Sequence, residues 1–187
     1  MFTRALLAST LFVGAAAAIP RHTPDTPRPV TPSTVARPAP EWRNTSWLNA
    51  AAPVTLTSLH GRVVLLNFWV FTCINCTRTV PSLVRFDGLY RYQGLSIIGI
   101  HTPEFEHEKD AANVKNKVAQ LRITWPVLLD PLMENWRRWE QQYWPCVYLV
   151  DKKGRVRYRW DGELEYGGAN GERIMLGLIE KLLAEAD

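Results

Sequence analysis

The sequence predicts an α/β fold that is built on a parallel sheet with helices packed against it. Two short apolar segments, residues 63–69 and 95–100, are rich in β-branched and aromatic residues and are predicted to be buried strands. The segment between them, residues 77–92, is predicted to be a helix whose apolar face is formed by Val80, Leu83, Val84 and Tyr90. Two parallel strands joined by a helix make a βαβ unit, which is the repeating element of such a sheet.

The C-terminal part of the chain adds a hairpin and a closing helix. Residues 146–150 form an apolar strand, residues 151–154 form a turn that ends in glycine, and residues 155–160 form the return strand. Residues 172–184 are predicted to be an amphipathic helix. Its inward-facing residues are expected to be Ile174, Met175, Leu178, Ile179, Leu182 and Leu183.

Other short elements are predicted around this framework. Residues 54–56 are expected to form a strand that leads into the βαβ unit. Residues 109–121 are expected to be a helix, residues 126–129 a short strand and residues 134–143 a tryptophan-rich helix. The last three elements form an insertion after the second main strand.

Residues 1–18 have the pattern of a secretory signal peptide. Arg4 is followed by an apolar stretch and then by a run of alanines that suits cleavage. The alternative is an uncleaved anchor, but residues 5–19 are fewer than the roughly 20 apolar residues that cross a bilayer. We therefore expect a periplasmic or otherwise exported protein, in a compartment where no glutathione pool keeps thiols reduced.

Residues 19–41 form a proline-rich linker that holds seven of the 13 prolines. Such a segment buries little apolar surface, so an extended spacer is predicted. The spacer either keeps the domain near a membrane partner or is an ordinary tail of an exported protein. The folded domain is predicted to span residues 42–187, which is enough chain for one domain with a real core.

The formal net charge of +4 does not indicate a nucleic-acid partner. Most of the excess comes from arginines of the N-terminal segment, and the folded domain has no basic stripe for a phosphate backbone to follow. Nucleic-acid binding is therefore not expected.

The motif with the clearest chemistry is the pair Cys73 and Cys76, directly after the first predicted strand. Residues three apart on the first turn of a helix lie on the same side, close enough for their sulfurs to bond. The unpaired N–H groups and the dipole of a helix start favour the thiolate, which is the form that attacks a disulfide. We expect Cys73 to be the exposed nucleophile and Cys76 the resolving thiol. Arg78 adds a positive charge nearby.

Two other interpretations of the cysteine pair are weaker. A zinc site needs about four ligands, and the chain has one C-x-x-C pair with histidines that lack the spacing of zinc ligands. A structural disulfide usually closes a longer loop, because a two-residue loop constrains the unfolded chain very little. A redox role is therefore preferred, and no metal is expected.

Three separate stretches of the chain resemble one family. They are F-T-C-I-N-C-T-R-T-V-P, I-G-I-H-T-P-E-F-E-H-E-K-D-A-A-N-V and Q-Y-W-P-C-V-Y-L-V-D. With the strand before the cysteines, they resemble the thioredoxin-like superfamily in its exported TlpA/ResA-type branch, and are similar above all to the thioredoxin-like domain of DipZ-type proteins. The resemblance implies a central mixed sheet flanked by helices, with an insertion after the second main strand. No stretch matches the membrane-embedded part of DipZ-type proteins, so a free-standing soluble relative is expected.

The resemblance also implies roles for the residues of the cysteine motif. Cys73 matches the attacking cysteine and Cys76 the resolving one. Trp69 matches the aromatic residue that shields the site, and Thr72 is a second supporting residue.

Outside that motif, Pro145 matches the proline that lies in cis opposite the disulfide. Trp144 before it would contribute backbone groups to substrate binding. Asn67 stands where thioredoxin itself carries a buried acid, so proton handling is expected from another group, with Glu104 or Glu106 as candidates.

Cys146 follows Pro145 and has two interpretations. It is either a small buried apolar residue, as free cysteines commonly are, or a third thiol able to exchange with the cysteine pair. His101 and His107, with Glu104 and Glu106, could suggest a metal site, but the same segment matches a non-metal turn of the family. We therefore expect a structured loop beside the active site.

The resulting hypothesis is an exported thiol–disulfide oxidoreductase that acts on cysteine-containing proteins and needs no cofactor. The resemblance favours a reductase, recharged by a membrane electron donor of the DsbD/CcdA kind. One alternative is a copper-handling protein of the Sco type, using Cys73, Cys76 and either His101 or His107. The other alternative is a thioredoxin-fold thiol peroxidase.

Overall fold

The computed structural model describes residues 31–43 and 46–186. The predicted signal peptide, residues 1–18, and the first part of the predicted linker lie outside the described residues. None of the helices in the described part of the chain is long and apolar enough to cross a bilayer.

The described chain contains seven strands and four α-helices. In chain order these are β1 (Thr31–Pro38), β2 (Trp47–Leu48), β3 (Val63–Trp69), α1 (Ile74–Tyr90), β4 (Leu95–His101), α2 (Ala111–Gln120), β5 (Val127–Leu129), α3 (Glu134–Arg138), β6 (Cys146–Val150), β7 (Arg155–Asp161) and α4 (Gly171–Ala184). A short 3-10 helix, Glu106–Lys109, precedes α2.

All seven strands belong to one mixed sheet with the order β1-β7-β6-β3-β4-β5-β2. Strands β3, β4 and β5 run parallel, and β6 pairs antiparallel with β3. β7 and β1 continue that antiparallel side, and β2 closes the other edge. Every residue of β3 is buried, as expected for a central strand covered on both faces. The prediction of a mixed sheet flanked by helices, with an insertion after the second main strand, is confirmed.

Alternate residues of β3 enter two separate apolar clusters. On one face, here called the Trp69 face, Leu65 and Trp69 pack with side chains of α1, α2 and α4, including Phe86. On the opposite face, here called the Phe68 face, Phe68 packs with Trp139 and with residues of the segment before β3. The two faces follow from the two-residue period of a strand.

The prediction that residues 19–41 form an unpaired spacer is wrong for residues 31–38. This segment is β1, which pairs antiparallel with β7, with Thr31 opposite Arg159 and Pro38 opposite Arg155. Proline lacks an N–H donor, but an edge strand has one side without a partner, so proline is tolerated there. The pairing covers the backbone groups that β7 would otherwise expose.

The predicted strand at residues 54–56 does not form. Its backbone groups bond to side chains instead: Trp42 Nε1 donates to Val54 O at 2.6 Å, and Leu56 N donates to the Glu41 carboxylate at 2.7 Å. A one-turn 3-10 helix, Thr57–Leu59, follows. Residues 47–48 supply the edge strand in its place.

Helix bounds and helix faces also differ from the predictions at a few positions. The tryptophan-rich helix predicted at residues 134–143 ends at Arg138, because Glu140 has a left-handed backbone (φ 52°). α1 starts at Ile74 and contains Pro81, and its buried stripe leaves Val84 43% exposed. In α4, Ile174 is 37% exposed, because Met175, Ile179 and Leu182 already fill the side that faces the sheet.

Candidate active site

Cys73 lies where the chain leaves β3 and α1 begins. It is the N-cap of α1, with an extended backbone (φ −69°, ψ 115°). Its Sγ accepts a hydrogen bond from the backbone N–H of Cys76 at 3.2 Å, as the side-chain oxygen of an N-cap serine does. The sulfur is therefore held at the positive end of a helix of 17 residues.

The two thiols of the pair differ in burial and in acidity. Hydrogen bonds from the Cys76 thiol and from the N–H groups of Cys76 and Asn75 lower the pKa of Cys73 to about 7, although burial and the charge of Glu104 raise it. Cys76 is buried, and this burial raises its pKa well above the usual value. All three cysteines are free thiols. Cys73 is thus the half-exposed, acidic thiol of the pair, and Cys76 is the protected one.

This difference predicts the pH dependence of alkylation of the dithiol form. Because a thiolate reacts and a thiol does not, labelling of Cys73 by iodoacetamide should rise with pH through a midpoint near 7. Mass spectrometry of the labelled peptide at each pH measures the midpoint. A midpoint near about 8.5, the value of an ordinary cysteine, would contradict the capping geometry.

Trp144 and Pro145 lie in the loop directly before β6. The Trp144–Pro145 peptide bond is cis. Pro145 O accepts a hydrogen bond from Gly162 N at 2.8 Å, which ties this loop to the end of β7. The Trp144 ring stacks on Trp136 of α3, with ring centroids 4.0 Å apart and planes at 27°. Trp144 also packs against the core cluster of the Trp69 face, which includes Cys76.

Trp69 and Thr72 flank the cysteine pair in different ways. Trp69 is fully buried in the same apolar cluster as Cys76. Its indole lies over Gly99, where a Cβ would come within 3.2 Å of Trp69 Nε1. Thr72 immediately precedes Cys73, and its hydroxyl donates a hydrogen bond to the carboxylate of Glu108. Asn67 is buried as well, so the central strand carries no acid there.

The buried acid next to Thr72 is Glu108, which was not among the predicted candidates. Glu104 and Glu106, the predicted candidates, are both exposed. Glu104 acts on Cys73 through its charge, whereas Glu106 pairs with Lys109 at 2.6 Å. Glu108 accepts the N–H of Phe105, the residue that caps its short 3-10 helix. The sequence signal of a capping box needs a Ser, Thr, Asp or Asn cap, and the cap here is Phe105, so no local signal pointed to Glu108.

The two histidines of this region do not join the cysteines. His101 ends β4, is buried and stacks on Phe71 with ring planes at 16°. His107 is exposed and stacks on Phe105. Among residues 31–43 and 46–186, no group of three or more His, Cys, Asp or Glu side chains is arranged to hold a metal ion. The ligand set that a copper site would need is therefore not assembled in the described structure.

Cys146 lies on the other side of the sheet from the cysteine pair. It is fully buried on the Phe68 face, whereas Cys76 belongs to the Trp69 face. Its Sγ donates to Asp161 Oδ1 at 3.1 Å, and burial raises its pKa. The buried position of this sulfur favours the interpretation of Cys146 as a small buried residue over that of a third exchanging thiol, because the sheet lies between it and the cysteine pair.

Cys146→Ser should leave disulfide reduction unchanged. The serine hydroxyl can still donate to Asp161, so we expect only a loss of about 1 kcal/mol in unfolding free energy from the poorer burial of a polar group. Disulfide mapping and insulin reduction of the variant and the parent test this. Loss of Cys73–Cys76 pairing in the variant, or a disulfide to Cys146 in the parent, would contradict it.

The comparisons with known proteins agree with this geometry. The chain is 42% identical to protein DipZ of Mycobacterium tuberculosis over 144 residues, which is 76% of this chain and 20% of DipZ. It is 28% identical to thiol-disulfide oxidoreductase YkuV of Bacillus subtilis over 143 residues, which is 76% of this chain and 90% of YkuV. The crystal structure of a thioredoxin-like superfamily protein matches 81% of this chain and 99% of its own, with a TM-score of 0.72 at 23% identity.

The fold is that of thioredoxin-like proteins, here with a cysteine pair at the start of α1. A family model for the AhpC/TSA family matches residues 35–159, and the chain belongs to this family. The resemblance to DipZ-type proteins is confirmed, although the chain spans about a fifth of the length of DipZ.

Proposed function

We propose that the protein is an exported protein-disulfide reductase in which Cys73 attacks and Cys76 resolves. The observation that carries this proposal is the opposite shift of the two thiols. Hydrogen bonds from the Cys76 thiol and from the N–H groups of Cys76 and Asn75 lower the pKa of the half-exposed Cys73 to about 7, while burial raises that of Cys76. At neutral pH one sulfur is ready to attack and the other keeps its proton until it is needed.

The reaction balances as a two-electron exchange. The Cys73 thiolate attacks one sulfur of a substrate disulfide, which forms a mixed disulfide and releases the other substrate sulfur as a thiolate. Cys76 then loses its proton and attacks Cys73 Sγ, which forms the Cys73–Cys76 disulfide and releases the second substrate sulfur. The substrate gains two electrons, and the protein loses them.

The reducing direction and the exported location rest on further support. The pattern of residues 1–18 favours export, and the resemblance to TlpA/ResA-type proteins favours a reductase. In such a compartment the Cys73–Cys76 disulfide must be reduced again with electrons that come from outside the compartment. A membrane electron donor of the DsbD/CcdA kind fits that need. The substrates are proteins that carry disulfides.

A glutathione redox titration tests the direction. The Cys73–Cys76 couple should equilibrate near the potential of thioredoxin, about −270 mV, rather than near that of the oxidant DsbA, about −120 mV. A value close to the latter would contradict the reductase assignment. The thiol pair can be followed by alkylation and mass spectrometry at each glutathione ratio.

Two further measurements separate this proposal from its rivals. Rapid consumption of peroxide without a disulfide substrate would indicate a thiol peroxidase instead. Stoichiometric copper binding that is lost in His107→Ala would indicate a copper-handling protein.

N-terminal mass spectrometry of the protein recovered from the producing cell tests export, since an intact Met1 on cytosolic protein would contradict it.

A further inference from the structure

The carboxylate of Glu108 connects two segments that are far apart in the sequence. One is the active-site turn, defined as residues 70–73 between β3 and α1. The other is the acidic loop, defined as residues 103–109. Glu108 is 0% exposed and lies within the acidic loop. A buried acid is costly unless it is hydrogen-bonded, so its contacts show what it holds in place.

Both oxygens of this carboxylate are occupied. Oε1 accepts a hydrogen bond from the hydroxyl of Thr72. Oε2 accepts the backbone N–H groups of Glu104, at 2.6 Å, and of Phe105, at 2.7 Å. Although burial raises the pKa of Glu108, the hydrogen bonds from Thr72, Phe105 and Glu104 lower it overall, so the group is charged at neutral pH.

This arrangement fits a structural tie better than a proton carrier. A general acid or base must reach the reacting proton, but the hydrogen bonds of Glu108 all go to Thr72 and to its own loop. The other titratable side chain that acts on it is His101 of β4. Burial lowers the pKa of His101 to about 4, so its imidazole is uncharged at neutral pH.

Glu104 is one of the loop residues whose backbone the tie fixes. Glu104 N is one of the two backbone donors to Glu108, and the Glu104 charge acts on the Cys73 sulfur. The loop also makes a ring contact with this region, with His107 set edge-on to Phe71 at a centroid distance of 5.8 Å. Hydrogen bonds to a charged acceptor are the stronger constraint.

We propose that Glu108 is a positioning residue that ties the acidic loop to the active-site turn through Thr72 and so fixes where Glu104 lies relative to Cys73. The inference rests on the proposed function in taking Cys73 as the nucleophile. Glu104 makes the thiolate less favourable, and the tie keeps it close enough to do so. Glu108 thus sets the reactivity of Cys73 without touching it.

Alkylation of Cys73 by iodoacetamide in the full-length dithiol protein tests the proposal. Glu104→Gln should speed labelling at pH 6 by about two- to fivefold, because a like charge next to the thiolate is removed. Glu108→Ala should give a similar increase, because Glu104 is released. The double variant should be no faster than either single variant, since both changes act on one interaction.

Matched variants separate the positioning effect of Glu108 from the effect of its charge. Glu108→Gln keeps an oxygen for the two N–H groups and an amide for Thr72, so labelling should stay at the rate of the parent. Thr72→Val removes the hydrogen bond to Glu108, so the labelling rate of Cys73 should increase, as it should in Glu108→Ala. Glu106→Gln removes an exposed acid of the same loop and should change nothing.

Several results would overturn the proposal. Equal acceleration in Glu108→Gln and Glu108→Ala would show that the charge of Glu108 itself acts on Cys73. Unchanged labelling in both Glu108→Ala and Thr72→Val would show that the tie does not matter. If Glu108→Ala fails to fold by circular dichroism, Thr72→Val and Glu108→Gln decide alone. Labelling reports on the tie even if the parent fails to reduce insulin, which would instead overturn the proposed function.

Discussion

Cys73→Ser is expected to reduce insulin no faster than buffer, a loss of about a thousandfold or more, because covalent exchange needs an attacking thiolate. Serine is one of the best N-cap residues, so its hydroxyl can take over the hydrogen bond from Cys76 N that Cys73 Sγ accepts at 3.2 Å. The variant should therefore fold as the parent does. Insulin turbidity with dithiothreitol as the reductant measures the activity, and circular dichroism measures the fold.

The matched control for this result is Cys146→Ser, the same change at a cysteine on the Phe68 face of the sheet. It should retain the activity of the parent. Appreciable insulin reduction by Cys73→Ser would mean that Cys76 or another group attacks the substrate. The assignment of the nucleophile to the start of α1 would then fail.

Cys76→Ser and Cys76→Ala are expected to stop the reaction at the mixed disulfide. Without a resolving thiol, the bond between Cys73 and the substrate has no internal route of release, so the adduct should accumulate on non-reducing gels. Turnover should fall as far as in Cys73→Ser, while the first attack remains. Product release from Cys76→Ser at the rate of the parent would contradict the resolving role.

The two Cys76 variants also differ in a way that the site predicts. Hydrogen bonding from the Cys76 side chain is the main cause of the lowered pKa of Cys73. Serine can still donate such a bond, whereas alanine cannot. The alkylation midpoint of Cys73 should therefore lie at higher pH in Cys76→Ala than in Cys76→Ser. Identical midpoints would show that the backbone N–H groups alone lower the pKa.

Local signals were sufficient for the main elements and for the cysteine pair. The apolar run of β3, the C-x-x-C motif and the following helix are adjacent in the chain, so the short-range geometry of a strand, a turn and a helix start already determines them. The same holds for β6, whose bounds match the prediction. These elements position Cys73 at the N-cap and bury Cys76 one turn further on.

Local signals failed where the outcome depended on a distant partner. The proline-rich residues 31–38 became a strand only because β7 offers its edge. Glu108, rather than Glu104 or Glu106, is the buried acid, because its carboxylate meets Thr72, 36 residues away in the chain.

By itself, the sequence determined an α/β domain with a cysteine pair at a helix start, because those features come from neighbouring residues. The thioredoxin-like fold was implied by the resemblance of three stretches to that superfamily. Only the tertiary structure decided the side of the sheet on which Cys146 lies. Every residue of β6 is buried, so no polar–apolar alternation along the strand could indicate its face. Its pairing with β3 sets that face and places this third sulfur across the sheet from the other two.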